Sequence, residues 1–250
     1  MTTNNNDHIV IIPDVHGRAF WREIVRSHPE DQVIFLGDYL DPYPDEGISF
    51  KEALDGLQEI IALKKEAPDR VTLLWGNHDM HYLYPRMMGS RYDDKNAPVI
   101  GGLFADNRSL FQLADEFRTP DGRRFLFTHA GVCRIWVEYH FAPRCLDLFG
   151  AKALNSILSW PEPEMVGLLS LVSLFRGGTS RVGSPVWADV EEHFFESNRL
   201  PGFVQVFGHS QVPAPVSIQD RAFCLDCGRG FLLDGEGRII DLADGNHIKL

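Results

Sequence analysis

Val71-Thr-Leu-Leu-Trp75-Gly76-Asn77-His78-Asp79 is the stretch that decides how the rest of the chain is read. Its first five residues are apolar or β-branched and predict a buried strand. Gly76 permits an abrupt turn. An amide, an imidazole and a carboxylate then follow without a break. The carboxyl end of a buried strand is where open α/β sheets bind their ligands.

Four other segments repeat the construction. Ile9–Ile12 runs into Pro13-Asp14-Val15-His16-Gly17, and Pro13, with no N–H to give a ladder, suits a strand end. Val33–Leu36 runs into Gly37-Asp38-Tyr39-Leu40-Asp41. Arg124–Phe127 runs into Thr128-His129-Ala130-Gly131, and Phe203–Phe207 into Gly208-His209-Ser210. Between them, Phe20, Ile24 and Val25 keep helical spacing. So do Phe50, Ala53, Leu54, Leu57, Ile60 and Ile61, behind a Ser49/Glu52 capping box. A further helix is expected from about Leu103 to Phe117, with Leu110, Phe111 and Ala114 on one face. Tyr82 to Pro98 is aromatic, charged and irregular, and reads as a loop near the site. Strand–loop–helix units in series imply an α/β fold with a largely parallel sheet. Residues 134–200 look mostly helical, interrupted by Pro161, Pro163 and Gly177-Gly178, and read as a cap or insertion within one domain spanning 1–250. Short strands close the chain at 216–218, 222–225, 231–233 and 239–241, with a hairpin signal at Asp234-Gly-Glu-Gly237.

The chain has 250 residues, 44% of them hydrophobic, enough for a substantial core. A formal net charge of -11 disfavours nucleic acid and anionic membranes as partners, while clustered carboxylates invite cations. Cys133, Cys145, Cys224 and Cys227 show no disulfide spacing, and Cys224-Leu-Asp-Cys227 lies in an apolar run, so a reducing compartment is expected. The polar residues 1–6, with their Asn4–Asn6 run, carry no basic or apolar leader pattern. The apolar run Met165–Phe175 is too short to span a bilayer. The expected location is the cytoplasm.

The polar residues at the five strand ends are Asp14, His16, Asp38, Asn77, His129 and His209. A lone histidine after a strand, or a lone Asp-Gly, is ordinarily a turn or a satisfied core residue. Five apolar strands that each deliver Asp, Asn or His beside glycine are another matter. Carboxylate, imidazole and amide without thiolate suit Mn²⁺, Fe or Zn²⁺, and six ligands with a shared carboxylate suffice for two ions. Asp38, with two oxygens, is the natural bridge.

This series resembles the signature of the calcineurin-like metallophosphoesterases, in the order and spacing of their bacterial and phage-type phosphoprotein phosphatase branch. Pro185-Val-Trp187-Ala-Asp189 and Leu225-Asp226-Cys-Gly228 resemble further family segments. The resemblance implies a four-layer α/β/β/α sandwich and a two-metal phosphoester hydrolase, with manganese the first choice of ion. Asp14 and His16 would hold one ion, Asp38 would bridge, and Asn77, His129 and His209 would hold the other. A metal-bridging hydroxide would attack phosphorus, His78 would be the general acid, and Asp41 would fix its tautomer. The pattern departs at Pro42, where phosphatases of this branch carry a phosphate-gripping arginine; Arg176 and Arg181 are the candidate replacements. The expected substrate is a phosphomonoester, protein or small molecule, and the sequence leaves oligomeric state open. A second reading is a phosphodiesterase or dinucleoside polyphosphate hydrolase, with aromatic residues of 82–92 stacking a base. A third is a non-catalytic metal-binding scaffold.

Overall fold

A computed structural model describes residues 8–141 and 149–248; Cys145 and the asparagines at 4–6 lie outside them. In chain order the elements are β1 (Ile9–Ile12), α1 (Phe20–Ser27), β2 (Gln32–Phe35), α2 (Phe50–Glu66), β3 (Val71–Leu74), α3 (Asn77–Met80), α4 (Ala97–Asp106), β4 (Phe111–Gln112), β5 (Ala114–Arg118), β6 (Arg124–Thr128), α5 (Arg134–His140), α6 (Ala151–Ser156) and α7 (Glu162–Leu169). There follow β7 (Val204–Phe207), β8 (Val216–Ile218), β9 (Ala222–Cys224), β10 (Phe231–Leu233), β11 (Ile239–Asp241) and β12 (His247–Ile248). Short 3-10 turns fill the stretches at 174–176 and 190–198.

The strands form two sheets. One has the order β12-β11-β10-β1-β2-β3-β4, the other β5-β6-β7-β9-β8. β1 to β4 run parallel, as do β6, β7 and β9. The side-chain alternation of the strands divides the core. Ile9, Ile11, Ile34, Leu36 and Leu74 of the first sheet meet Phe125, Phe127, Val206 and Phe223 of the second in a buried layer between them. On the other face of the first sheet, Val10, Ile12, Val33 and Phe35 pack with Trp21 and Val25 of α1 and Leu57, Ile60 and Ile61 of α2. The second sheet turns Phe207 and Cys224 outward. The result is the two-sheet α/β arrangement that the sequence predicts, with helices outside it.

α2 starts where its cap predicts. Ser49 Oγ accepts from Glu52 N, and the Glu52 carboxylate accepts from Ser49 N at 2.8 Å. The expected helix over 103–117 is corrected. α4 ends at Asp106, and residues 111–118 form two strands instead. The spacing of Leu110, Phe111 and Ala114 suits a helix, but two sheet edges claim this backbone: Phe111 pairs beside Leu73, and Ala114–Arg118 pair antiparallel with Thr128–Arg124. Tertiary pairing outweighs local propensity here. Leu113 is the crossing point between sheets. Asn155 of α6 clamps it, its Oδ1 accepting from Leu113 N (2.8 Å) and Ala114 N (3.0 Å). Cys133, Cys224 and Cys227 are free thiols. Among the described residues no helix is long and apolar enough to cross a membrane.

Candidate active site

The carboxyl ends of β1, β2, β3, β6 and β7 converge, and the loops that leave them are tied backbone to backbone. His16 N donates to Asp38 O (2.7 Å), Gly17 N to Tyr39 O (2.8 Å) and Gly208 N to His129 O (2.8 Å). Of the seven non-glycine residues with positive φ among the described residues, five (His16, Asp38, Asp41, Arg91 and His209) belong to this convergence. Each costs on the order of 1 kcal/mol or more, and such strain gathers at functional sites. Asp79 over-determines the geometry. Its buried carboxylate accepts from Asp38 N (2.8 Å), Tyr39 N (2.9 Å) and Gly76 N (2.8 Å), so one side chain pins two loops. Burial nevertheless raises this carboxyl to about 7, against the lowering by those three bonds.

Two glycines make room. A Cβ on Gly76 would lie 2.1 Å from Asp38 Oδ1, and one on Gly208 would lie 2.0 Å from Asp14 Oδ1. The absence of both side chains lets these carboxylates accept from backbone N–H groups: Asp38 Oδ1 from His78 N and Asp14 Oδ1 from His209 N, both at 2.9 Å.

The six sequence-predicted ligands come together as two overlapping sets. Ligand atoms of Asp14, His16 and Asp38 lie within 4.8 Å of one another, as do those of Asp38, His129 and His209. All are buried. Asn77 Oδ1 stands 3.0 Å from His129 Nε2. The donor chemistry calls for cations. His129 Nδ1–H donates to Leu36 O (2.8 Å), and burial holds this imidazole neutral, at about 3. Its bare Nε2 lone pair therefore faces Asn77 Oδ1 and, at 3.5 Å, Asp38 Oδ2. His16 repeats the pattern. Nδ1–H donates to Leu40 O (2.8 Å), leaving Nε2 toward Asp38 Oδ2 at 3.7 Å and Asp14 Oδ2 at 3.9 Å. Asp14 Oδ2 is buried with no hydrogen-bond partner. Burial and the neighbouring Asp226 raise the Asp14 carboxyl well above its usual range, and burial, Asp14 and Asp79 do the same to Asp38. Lone pairs facing lone pairs, beside a buried carboxylate oxygen with no hydrogen-bond partner, are what bound divalent ions would resolve. The residues fit two ions, with Asp38 common to both sets.

His78 lies beside these sets, its ring 5.3 Å from that of His16. Its Nδ1–H donates to Asp41 Oδ2 (2.7 Å), which turns Nε2 away from the carboxylate. Burial alone would raise Asp41, but hydrogen bonds from His78 and Tyr82, with the adjacent His81 ring, outweigh it and hold the carboxyl at about 2. Tyr82 Oη donates to Asp41 Oδ1. His81 Nε2 lies 2.9 Å from Asp41 Oδ2 but out of line for a hydrogen bond. Burial lowers the His78 pKa, and Asp41 acts against that lowering.

Arg176 and Arg181 fare differently. Arg176 Nη1 bonds Asp189 Oδ2 (2.9 Å) and Ser210 Oγ (3.4 Å), next to His209. Arg181 is exposed, with no hydrogen bond or ion pair to the cluster among the described residues. Three residues at the site were not assigned from sequence. Asp79 and Asp226 lie inside motifs that mark them out. Arg91 lies in the irregular loop, where no strand end announces it. Nor do the aromatic rings of that loop stand open. Tyr82 and Tyr84 are buried, and Tyr92 stacks on Tyr82 with centroids 4.9 Å apart.

The calcineurin-like phosphoesterase family profile matches residues 8–213. Among solved structures, a protein serine/threonine phosphatase from Saccharomyces cerevisiae with similarity to human phosphatase PP5 aligns with 93% of this chain and 74% of its own, at 13% identity and a TM-score of 0.47. Yfce, a phosphoesterase from E. coli, aligns over 97% of both chains at 14% identity and a TM-score of 0.40.

Proposed function

The chain belongs to the calcineurin-like phosphoesterase family, and on that premise we propose that this phosphoester hydrolase is a phosphomonoesterase of the phosphoprotein phosphatase kind. The observation that carries the reading is the His78–Asp41 pair beside the two overlapping ligand sets. Asp14, His16 and Asp38 would hold one divalent ion, and Asp38, Asn77, His129 and His209 the other, with manganese favoured over iron or zinc by the mixed carboxylate, amide and imidazole donors. Bound there, the ions supply Lewis acidity, neutralising phosphate oxygens and making a water acidic enough to attack at neutral pH.

The rest falls to the chain's own side chains. Asp41, kept ionised by its three neighbours, fixes the His78 tautomer with a proton on Nδ1. Nε2 is then the atom that holds and delivers the proton the leaving oxygen needs. Asp79 and the backbone amides of Gly76, His78 and His209 keep the carboxylates from swinging. Arg176 adds positive charge beside His209. Residues 134–200 read as a cap on the same domain, because Trp187 packs edge-on against His209 at 5.7 Å and Val190 N bonds Ser210 Oγ. The free thiols accord with a cytoplasmic setting. The diester reading draws little from the tyrosines of 82–92: Tyr82 and Tyr92 stack on each other, and Tyr84 is buried.

The test is steady-state hydrolysis of an aryl phosphate monoester and the matching diester by manganese-loaded protein. Monoester turnover should dominate. His78→Asn should lower kcat by about 10²- to 10³-fold while both ions stay bound. Unchanged kcat in that variant would remove the assigned acid, and a dominant diesterase activity would overturn the monoesterase reading.

A further inference from the structure

Pro42 leaves the Gly37–Asp41 loop without a side chain able to grip phosphate. Another residue reaches the same space. Arg91 and Pro42 line one cleft, and Arg91 Nη1 donates to the carbonyl of Asp41, the residue directly before Pro42. The guanidinium lies over the Tyr43 ring, 3.8 Å from its centroid. Nη2 stands 3.2 Å from His78 Nε2 and 3.5 Å from His16 Nε2. Those are the ring nitrogens turned away from the hydrogen bonds that each Nδ1–H donates, to Asp41 Oδ2 from His78 and to Leu40 O from His16. The arginine thus points at the gap between one ligand set and the acid that would serve the leaving group.

Its bonding differs from that of the other arginines nearby. Arg18 pairs with Glu46 and Arg176 with Asp189, whereas Arg91 has no carboxylate within ion-pair distance among the described residues. A planar cation held by a carbonyl and an aromatic face, with its remaining N–H groups directed into a polar site, is arranged to receive an anion. Its backbone is left-handed, with φ 59°.

We propose that Arg91 is the phosphate-binding residue of this site, supplying from the loop after α3 the guanidinium that Pro42 cannot. It makes paired N–H donations to two unesterified oxygens of one phosphoryl group; a diester offers two as well, and it is the doubled charge of the monoester dianion that the guanidinium favours. The proposal rests on the phosphoester-hydrolase reading, and its test separates the two. Inorganic phosphate is titrated calorimetrically into metal-loaded parent, Arg91→Lys and Arg91→Asn proteins, and metal content is measured in each. Asn tolerates the left-handed backbone, and Lys keeps the charge without the fork. Phosphate affinity should fall about tenfold or more in Arg91→Asn and by less in Arg91→Lys, with two ions retained. KM for an aryl monoester should rise in step, with kcat and diester KM changing less. Parent-like phosphate affinity in Arg91→Asn would overturn the proposal. So would loss of the ions from both variants, which would make Arg91 a support for the Asp41 loop. The phosphate titration reads out even if the parent hydrolyses no ester tested, an outcome that would strike the hydrolase reading alone.

Discussion

The two ligand sets share Asp38 but are held by different parts of the molecule. Asp14, His16 and Asp38 leave adjacent parallel strands of one sheet, and two backbone hydrogen bonds join their loops directly. His129 and His209 come from the other sheet, and reach Asp38 and Asn77 only because the sheets are packed face to face. Across that gap the ties are few: His129 Nδ1–H to Leu36 O and His209 N to Asp14 Oδ1, both in the buried interior. One set is a local product of strand pairing. The other reports on the core between the sheets.

The largest test of this contrast is Asp38→Asn, which strikes both sets. Activity should fall at least about 10³-fold and metal content from two ions to one or none. The metal-free melting temperature should not fall, since the lost group is a buried carboxylate held against burial and Asp14. Retention of both ions would show that Asp38 does not join the sets. A smaller effect is expected from Phe127→Ala, a cavity in the layer between the sheets. It should cost about 3–5 kcal/mol in denaturant melts. Metal titration of the variant should show the His129–His209 ion weakened before the Asp14–His16 ion. Equal weakening would mean that both ligand sets depend alike on the core between the sheets.

The smallest effect concerns pH. His193 donates to Ala130 O and packs on Phe207, on the outer side of the second sheet, and burial holds it at about 4. Unfolded, the group would titrate near 6.5. Between those values the unfolded chain binds more protons, so stability is lost as pH falls from about 6.5 to about 4, by on the order of 3 kcal/mol. Melts of metal-free protein across that window, compared with His193→Gln, should show a flatter slope in the variant.

The sequence made the ligand-bearing loops legible because each is a local event, an apolar strand stopped by glycine and a polar residue. α2 was legible through Ser49 and Glu52 for the same reason. What it hid depends on contacts distant in sequence. Residues 111–118 carry helical spacing and become strands because β3 and β6 present free edges to them. Asp79 sits in the motif, yet its grip on Asp38 and Tyr39 exists only once those residues adopt their conformations, with Asp38 in the left-handed region. Arg91 comes from a loop with no periodicity, so only the folded chain shows that it arrives beside Asp41.

The two glycines that clear space for the carboxylates carry a consequence for how such a protein can change over time. Neither Gly76 nor Gly208 has a left-handed φ; a Cβ at Gly76 would also meet the Asp38 backbone nitrogen, but at Gly208 only the Asp14 carboxylate stands in the way. Alanine is one nucleotide away from any glycine codon. A lineage could therefore silence this chemistry with the smallest possible mutation while the sandwich still folds, leaving a descendant that looks like a hydrolase and is not one.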